Sequence, residues 1–458
     1  MDSAVKGCNK PSRSISHKNI SADGFCYAKI DVMKIVILGG GFGGVSTALN
    51  LAKLNLPEFE IKLISDKPHF EYHAALYRVV TGRSPLEVCV PLEQIFAPYR
   101  DQKNKQKEKI EIIGDRINKI DLAGKILTGQ SGSRYSFDYL VIALGSETSY
   151  FGISGLPEFS FGFKSIAEAL KLKSHLHELF QSCAAGTATG DDKVCGAHLV
   201  VVGGGASGVE LAGELAIYGR RLAEKHGLEP ALVTVDLIEA APRLLPALPA
   251  PVSERVKARL HGLGVNVFLN RVLKREEVNS IELGDMTIRS KTIIWTAGVK
   301  THSLLAGVPG LRFDKKSRVL VDGALRPMLA LDGTSSIPNV FVVGDCAATK
   351  YSGLASTAAR DGAHVARAFQ ALALGQAVRV YRPEVPFSSI PVGPDWAATV
   401  LGSLTLYGYL GWIFRRLADF RYFISILPFR QALLAFGETH VLSESCPVCN
   451  PVGQQEFK

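Results

Sequence analysis

The stretch Lys34-Ile-Val-Ile-Leu-Gly-Gly-Gly-Phe-Gly-Gly-Val-Ser-Thr-Ala-Leu49 decides the fold. Ile35 to Leu38 is an unbroken aliphatic run, the mark of a strand buried on both faces. A glycine turn follows, and from Val45 apolar residues return at helical spacing. The stretch His198-Leu-Val-Val-Val-Gly-Gly-Gly-Ala-Ser-Gly-Val-Glu-Leu-Ala-Gly213 has the same plan. Each copy then reaches a second strand ending in an acid, Ile61-Lys-Leu-Ile-Ser-Asp66 and Val233-Thr-Val-Asp-Leu-Ile-Glu239. One Gly-x-Gly-x-x-Gly alone is weak evidence; two copies, each with strand, helix and terminal acid, are strong evidence for dinucleotide binding. Gly39 and Gly203 permit the tight turn, Gly41 and Gly205 let a pyrophosphate approach, and Gly44 and Gly208 let helix pack on strand. The pyrophosphate is expected on the free N–H groups of the helix start. The expectation is an α/β protein with two Rossmann-like dinucleotide-binding domains.

Other runs fit the same plan. Phe137-Asp-Tyr-Leu-Val-Ile-Ala-Leu-Gly145, Thr292-Ile-Ile-Trp-Thr-Ala-Gly298 and Asn339-Val-Phe-Val-Val-Gly-Asp345 read as buried strands ending in small-residue turns. The last is followed by a small-residue helix through Ala355–Ala373. Lys103–Lys109 reads as a solvated charge run, and residues 183–193 as a surface loop. At 458 residues, 47% hydrophobic and 21% charged, the chain is long enough for two or three packed domains. The net charge of +9 is scattered and no nucleic-acid motif accompanies it, which argues against a nucleic-acid partner. Eight cysteines are too few for a disulfide scaffold, so reduced thiols in a cytosolic setting are expected. Residues 1–30 lack the apolar run of a signal peptide. Cys446-Pro-Val-Cys449 lacks a second pair for zinc, and His440 alone does not supply one, so no metal site is expected.

From about Pro383 to Phe436 the chain is apolar yet punctuated by arginine. Leu410, Ile413, Phe414, Leu417, Phe420, Ile424 and Leu427 share one helical face, with Arg415, Arg416 and Asp419 opposite, the pattern of an interfacial helix. Tyr409, Trp412 and Tyr422 suit the headgroup level, and anionic lipid suits the net charge. Trp396 to Phe414 is uncharged but contains Gly402, Gly408 and Gly411, so it reads as strand then helix start rather than a membrane span. A helix packed in a homodimer interface is the competing reading.

With these motifs the chain resembles type II NADH dehydrogenases, the single-subunit, non-pumping NADH:quinone oxidoreductases, which follow the glutathione-reductase-like plan. The resemblance runs from about Lys34 to about Phe436. It is carried by Phe70-Glu-Tyr-His-Ala-Ala-Leu-Tyr-Arg-Val-Val-Thr-Gly82, Phe161-Gly-Phe-Lys-Ser-Ile-Ala-Glu-Ala-Leu170, Val202–Gly213, Glu239-Ala-Ala-Pro-Arg-Leu-Leu-Pro246, Trp295–Val299 and Val343-Gly-Asp-Cys-Ala347. It implies an FAD-binding domain in two parts (33–160 and 306–382) around an NAD(P)H-binding domain (161–305). A membrane-associating region (383–440), a tail (441–458) and a disordered extension (1–32) complete the chain. FAD is implied at Gly39, Gly41, Phe42, Gly43, Gly44 and Asp66, with Ala143 and Gly145 passing near it and Gly344 and Asp345 at its ribityl-phosphate part. NADH is implied at Gly203, Gly205, Ala206, Gly208, Glu239, Ala297 and Gly298, with Glu210 near the nicotinamide–flavin contact. Two positions depart from the family: Arg360 and Asp361 stand where glutamines are usual, and Ala74 replaces a proline.

The resemblance implies a peripheral enzyme on the cytoplasmic side of the cell membrane. It would take a hydride from NADH onto FAD and pass electrons to a membrane quinone. Flavin supplies the difficult chemistry, so no Ser/His/Asp set is required. Glu210 and Arg360 are the candidate catalytic residues, and Arg360 or Lys350 is suited to offset negative charge on a reduced flavin. Glu239 favours NADH over NADPH, because a carboxylate accepts from a 2′-hydroxyl and repels a 2′-phosphate, while Arg243 four residues on is placed to soften that preference. A sulfide:quinone oxidoreductase needs a redox cysteine pair; no cysteine lies between Cys89 and Cys183, and Cys346 has no evident partner. A flavoprotein retained as a binding or sensing module is the alternative that the altered 355–362 stretch favours.

Overall fold

The computed structural model describes residues 32–99, 109–185, 190–329 and 335–437. The extension before residue 32, most of the charge run at 103–109 and the Cys446/Cys449 pair lie outside them.

Two five-stranded parallel sheets dominate, and they share one arrangement. In the first, the order is Val340–Val342, Tyr139–Ile142, Met33–Leu38, Phe59–Ser65, Glu111–Gly114. In the second it is Phe161–Gly162, Thr292–Trp295, His198–Val202, Thr234–Ile238, Val265–Phe268. Each central strand is the one that precedes a glycine turn. Ile35, Val36 and Ile37 are fully buried, as are Leu199, Val200 and Val201, because helices cover one face of each sheet and a three-stranded antiparallel meander (residues 117–136 on the first, 273–289 on the second) covers the other. The strand ending in an acid lies on one side of each centre, in register Ile35↔Ile61 and Val200↔Asp236. The strand ending in a small-residue turn lies on the other, in register Ile37↔Val141 and Val201↔Ile294.

The chain returns to the first sheet after completing the second, since Val340–Val342 pairs with Tyr139–Ile142. Ser146–Thr148 pairs antiparallel with Val299–Thr301 and joins the two bodies. Among its described residues, the expected loop at 183–193 is largely helical instead. Ile166–Ala184 continues past Cys183, whose side chain is buried, and Gly190–Ala197 forms a second helix with Asp192 in its first turn. Alanine in that stretch supports helix, and an acid suits a helix start.

The Phe42–Leu54 helix crosses Ala355–Ala373 at close range, and small residues make this possible. A Cβ on Gly362 would stand 2.5 Å from the Gly43 carbonyl oxygen and 2.8 Å from the Thr47 nitrogen. Ser46 Oγ donates to the Ala359 carbonyl at 2.6 Å across the same contact.

Beyond residue 383, a meander of Ser388–Pro391, Ala397–Leu401 and Leu404–Leu406 leads into helices Tyr409–Ile426 and Phe429–Gly437. Strand then helix start is therefore what the uncharged Trp396–Phe414 stretch forms. Among the described residues no helix is long and apolar enough to cross a membrane. The amphipathic reading needs one correction. The charged face of Tyr409–Ile426 points inward: Arg415 and Asp419 are buried and Arg416 is mostly covered, while Leu410, Phe414, Leu417 and Ile424 are exposed. Ion pairing inside the body satisfies the charges that an interfacial helix would show to water. Leu427 also departs from the expected face and is buried.

Gly362→Ala is expected to destabilise the protein by about 1–3 kcal/mol, the usual cost of forcing carbon into a closed contact. The measurement is urea unfolding of the first transition. An unchanged midpoint would show that the helix pair has slack there.

Candidate active site

The two glycine turns have the same geometry. Gly39 and Gly203 take φ of +118° and +121°, a region that side chains avoid. A Cβ on Gly39 would meet the Ala143 carbonyl carbon at 2.8 Å, and one on Gly203 would meet the Ala297 nitrogen at 2.8 Å. Gly44 and Gly208 press against the carbonyls of Gly39 and Gly203, so helix and strand touch through bare backbone. Gly41 and Gly205, each at a helix N-cap with no side-chain cap, have nothing within 4 Å of a built Cβ. These open, uncapped N–H groups are where a dinucleotide pyrophosphate fits. Ala206 is exposed beside the second. Gly43 instead faces Val343 Cγ2 at 3.0 Å, which makes it a helix-packing residue. Phe42 is packed among Phe70, Tyr72 and Tyr422.

The acids lie on one side of each turn. Asp66 borders a cleft shared with Lys67, Gly114, Asp115, Arg116, Gln130 and Ser131. Glu239 accepts from the N–H groups of Gly204 at 2.5 Å and Ala241 at 2.7 Å, which fixes it at the glycine loop. The other side of each turn carries Ala143–Gly145 and Ala297–Gly298. Acid and small-residue turn thus flank each glycine turn from opposite sides. The two small-residue turns run directly into the two strands of the joining ribbon, so the two turns are brought to one seam.

At that seam Asp345 accepts from Ser146 Oγ at 2.9 Å and pairs with Lys164 Nζ at 3.5 Å. Gly344, at φ +77°, donates its N–H to Asp361 at 3.0 Å. Asp361 is fully buried, and burial pushes its carboxyl up to about 6. The departure from the family at position 361 thus has a structural role, since this carboxyl receives the N–H of the Gly-Asp turn. Arg360 lies on the outer side of the helix, paired with Glu384 at 3.3 Å. Lys350 lies against the Tyr351 ring.

Glu210 is buried in the first turns of helix Ala206–Lys225. Burial pushes its carboxyl up to about 8, against the pull of Arg415 and Arg78 and with the push of Asp419 and Glu214. Those neighbours form a buried network. Asp419 accepts from Tyr72 Oη at 2.8 Å and pairs with Arg78 at 3.0 Å and Arg415 at 3.1 Å. Arg78 also holds Glu87 at 2.5 Å, and Arg415 donates to the carbonyls of Ala74 at 2.5 Å and Ser389 at 3.1 Å. Sequence reasoning missed Lys164, Tyr72, Arg78 and Asp419 as site residues. The first three lie in stretches that carry the family resemblance, but only contact in three dimensions separates them from their neighbours. Cys346 is buried with its thiol pushed up to about 12, and among the described residues Cys89 and Cys346 are free thiols.

Two glycine turns on paired parallel sheets, with a Gly-Asp turn at their seam, define a flavin- and nicotinamide-dependent oxidoreductase. Residues 33–362 match the family model "Pyridine nucleotide-disulphide oxidoreductase". The chain is 31% identical over 429 residues to the type II NADH:quinone oxidoreductase Ndh of Mycobacterium tuberculosis, covering 89% of this chain and 88% of that one. It superposes on NDH2 from Plasmodium falciparum in complex with NADH with TM-score 0.78 at 18% identity, covering 89% and 97% of the two chains. It also superposes on the sulfide:quinone oxidoreductase of Aquifex aeolicus with TM-score 0.69 at 22% identity, covering 87% and 92%, a likeness of fold. The chain belongs to the type II NADH:quinone oxidoreductases. It is thereby an FAD-dependent enzyme that takes a hydride from NADH and passes electrons to a quinone.

Arg243 is engaged within its own loop. Its guanidinium is held by the carbonyls of Pro246 and Leu248 at 2.7 Å each and by Ser253 Oγ at 3.0 Å, turned into its own loop. NADH is therefore expected to be used in preference to NADPH, and Glu239→Gln to weaken NAD+ binding by about 1–2 kcal/mol, the worth of one charged hydrogen bond. Comparison of kcat/KM for the two dinucleotides checks this; equal values in the unaltered enzyme would refute it.

Proposed function

We propose that FAD lies on the Gly39–Gly44 turn with its flavin over Ala143–Gly145 and Asp345, and NADH on the Gly203–Gly208 turn with its nicotinamide over Ala297–Gly298. The observation that carries this is the joining of both small-residue turns to one antiparallel ribbon. FAD, when bound, accepts the hydride and releases its electrons to the second substrate. The chain's own residues do the rest. Uncapped N–H groups hold the two pyrophosphates, and Asp66 and Glu239 fix the riboses. Ser146 and Lys164 hold the carboxylate of Asp345 in place, and the buried walls exclude water.

Glu210 is the residue best placed to respond to the reaction. Hydride transfer adds negative charge at the seam, and a neutral carboxyl opposes it less than a carboxylate does. Arg415 and Arg78 stabilise what charge Glu210 carries. Arg360, held by Glu384 on the outer side of its helix, is the weaker candidate for a catalytic role.

A peripheral seat on the cytoplasmic face of the membrane is part of this proposal, and the C-terminal helices support its membrane contact. Leu410, Leu417, Phe429 and Leu434 are 60%, 56%, 65% and 70% exposed. Arg421 and Arg430 are exposed on the same two helices and replace Arg415 and Arg416 as cations available to anionic headgroups. Electrons then leave toward a quinone dissolved in the bilayer beneath these helices.

Two measurements test the reading. Glu210 is protonated below about pH 8 and ionised above it, so stopped-flow reduction of the flavin by NADH should slow as pH rises through that value. Glu210→Gln should flatten the profile while FAD stays bound; a wild-type profile in that variant would remove Glu210 from the reaction. Replacing Leu410, Leu417 and Leu434 together by serine should abolish sedimentation with anionic liposomes. Reduction of a soluble dye by NADH should be kept. Should the triple variant instead shift from dimer to monomer in solution and bind liposomes as before, the apolar face is a subunit interface.

A further inference from the structure

We propose that Phe151 stacks on the nicotinamide ring of the bound dinucleotide and covers it from water. The inference rests on the placement of NADH at the second glycine turn, and it assigns a side chain that the family motifs do not single out.

Phe151 breaks two rules at once. Its backbone takes φ +51°, a left-handed conformation that costs energy for any residue with a side chain. The residue is also 67% exposed, although a phenylalanine gains stability by burial. Strain together with an exposed aromatic marks a residue held in place for a ligand.

The surroundings hold it firmly. Ser149 donates its N–H to the Gly298 carbonyl at 3.2 Å, and Trp295 Nε1 donates to the Ser149 carbonyl at 2.9 Å. The Phe151 ring meets the Trp295 ring edge to face at 6.2 Å and 73°. It also lies against the α-carbon of Gly298, where a built Cβ would strike its Cε2 and Cζ. Gly298 itself takes φ +97°. A larger residue at 298 would push the ring away, so glycine there and phenylalanine at 151 depend on each other.

The topology says which part of the ligand this ring meets. His198–Val202 is central in its sheet, with the Glu239 strand on one side and the Gly298 strand on the other. Glu239 takes the adenosine ribose, so the half of the dinucleotide over Gly298 is the nicotinamide half. An aromatic ring beside a planar, electron-poor ring gives offset stacking, and it removes water from the transfer path.

The test uses the purified holoenzyme and two titrants, NAD+ and ADP-ribose, which lacks only the nicotinamide. In Phe151→Ala the calorimetric Kd for NAD+ should rise about three- to tenfold, the scale of one aromatic stack. The Kd for ADP-ribose should stay within about twofold of the unaltered enzyme. Phe151→Trp should restore NAD+ binding. Phe151→Gly, which accepts the backbone conformation without strain, should match Phe151→Ala, because the ring and not the strain is what binds. An unchanged NAD+ Kd in Phe151→Ala would overturn the proposal, and so would an equal loss for ADP-ribose. If Glu239→Gln likewise changes neither Kd, the placement of NADH at this turn has failed. If only Glu239→Gln weakens binding, Phe151 alone is refuted.

Discussion

The molecule depends on one contact made twice: a helix backbone resting on the carbonyl of the turn that precedes it. Gly44 meets Gly39 in this way and Gly208 meets Gly203. No side chain fits between, so helix and strand approach closely enough to aim uncapped N–H groups at a single point. Each sheet order follows from the need to flank that point. On one side stands the acid proposed to read a ribose, and on the other the turn of small residues proposed to leave room for a flat ring. The second domain repeats the first because the chemical problem, holding a dinucleotide at full length, is the same.

A second constraint sits at the far end of the chain. Asp419 reaches into the body and gathers Tyr72, Arg78 and Arg415 within hydrogen-bonding distance. A buried carboxylate with a partner removed is costly, on the order of 3–5 kcal/mol. The C-terminal helix is therefore an integral wall of the site and not a detachable tail. The same ion pairs set the field at Glu210, so the surface proposed to rest on lipid and the carboxyl proposed to respond to hydride transfer share one electrostatic unit.

Much of this was legible in the sequence. Continuous aliphatic runs and paired glycine motifs carry their own local physics, so the two sheets, the acids and the helix Ala355–Ala373 follow from spacing alone. The orientation of helix Tyr409–Ile426 did not. Periodicity separates a polar face from an apolar one, but it does not say which faces the body, and Arg415 and Asp419 read as solvent-facing until Tyr72 and Arg78 arrive from more than 300 positions away. Arg243 illustrates the same limit: a guanidinium near a ribose-reading acid looks available until its loop carbonyls are seen to occupy it. Asp361 looks like a lesion against the family pattern, yet it receives the N–H of Gly344.

The return of Val340–Val342 to the first sheet has a consequence for how the chain is made. Every strand of the second sheet lies between Phe161 and Trp295, whereas the first sheet lacks an edge strand until residue 342 has been added. During synthesis the later-starting unit is the first to hold all its strands. The amino-terminal unit must wait with its Tyr139–Ile142 strand unpaired on one side, and with the Phe42–Leu54 helix not yet covered by Ala355–Ala373. An exposed parallel edge of that kind is prone to aggregation while it waits. The order in which the ribosome delivers the chain thus runs opposite to the order in which its halves can close.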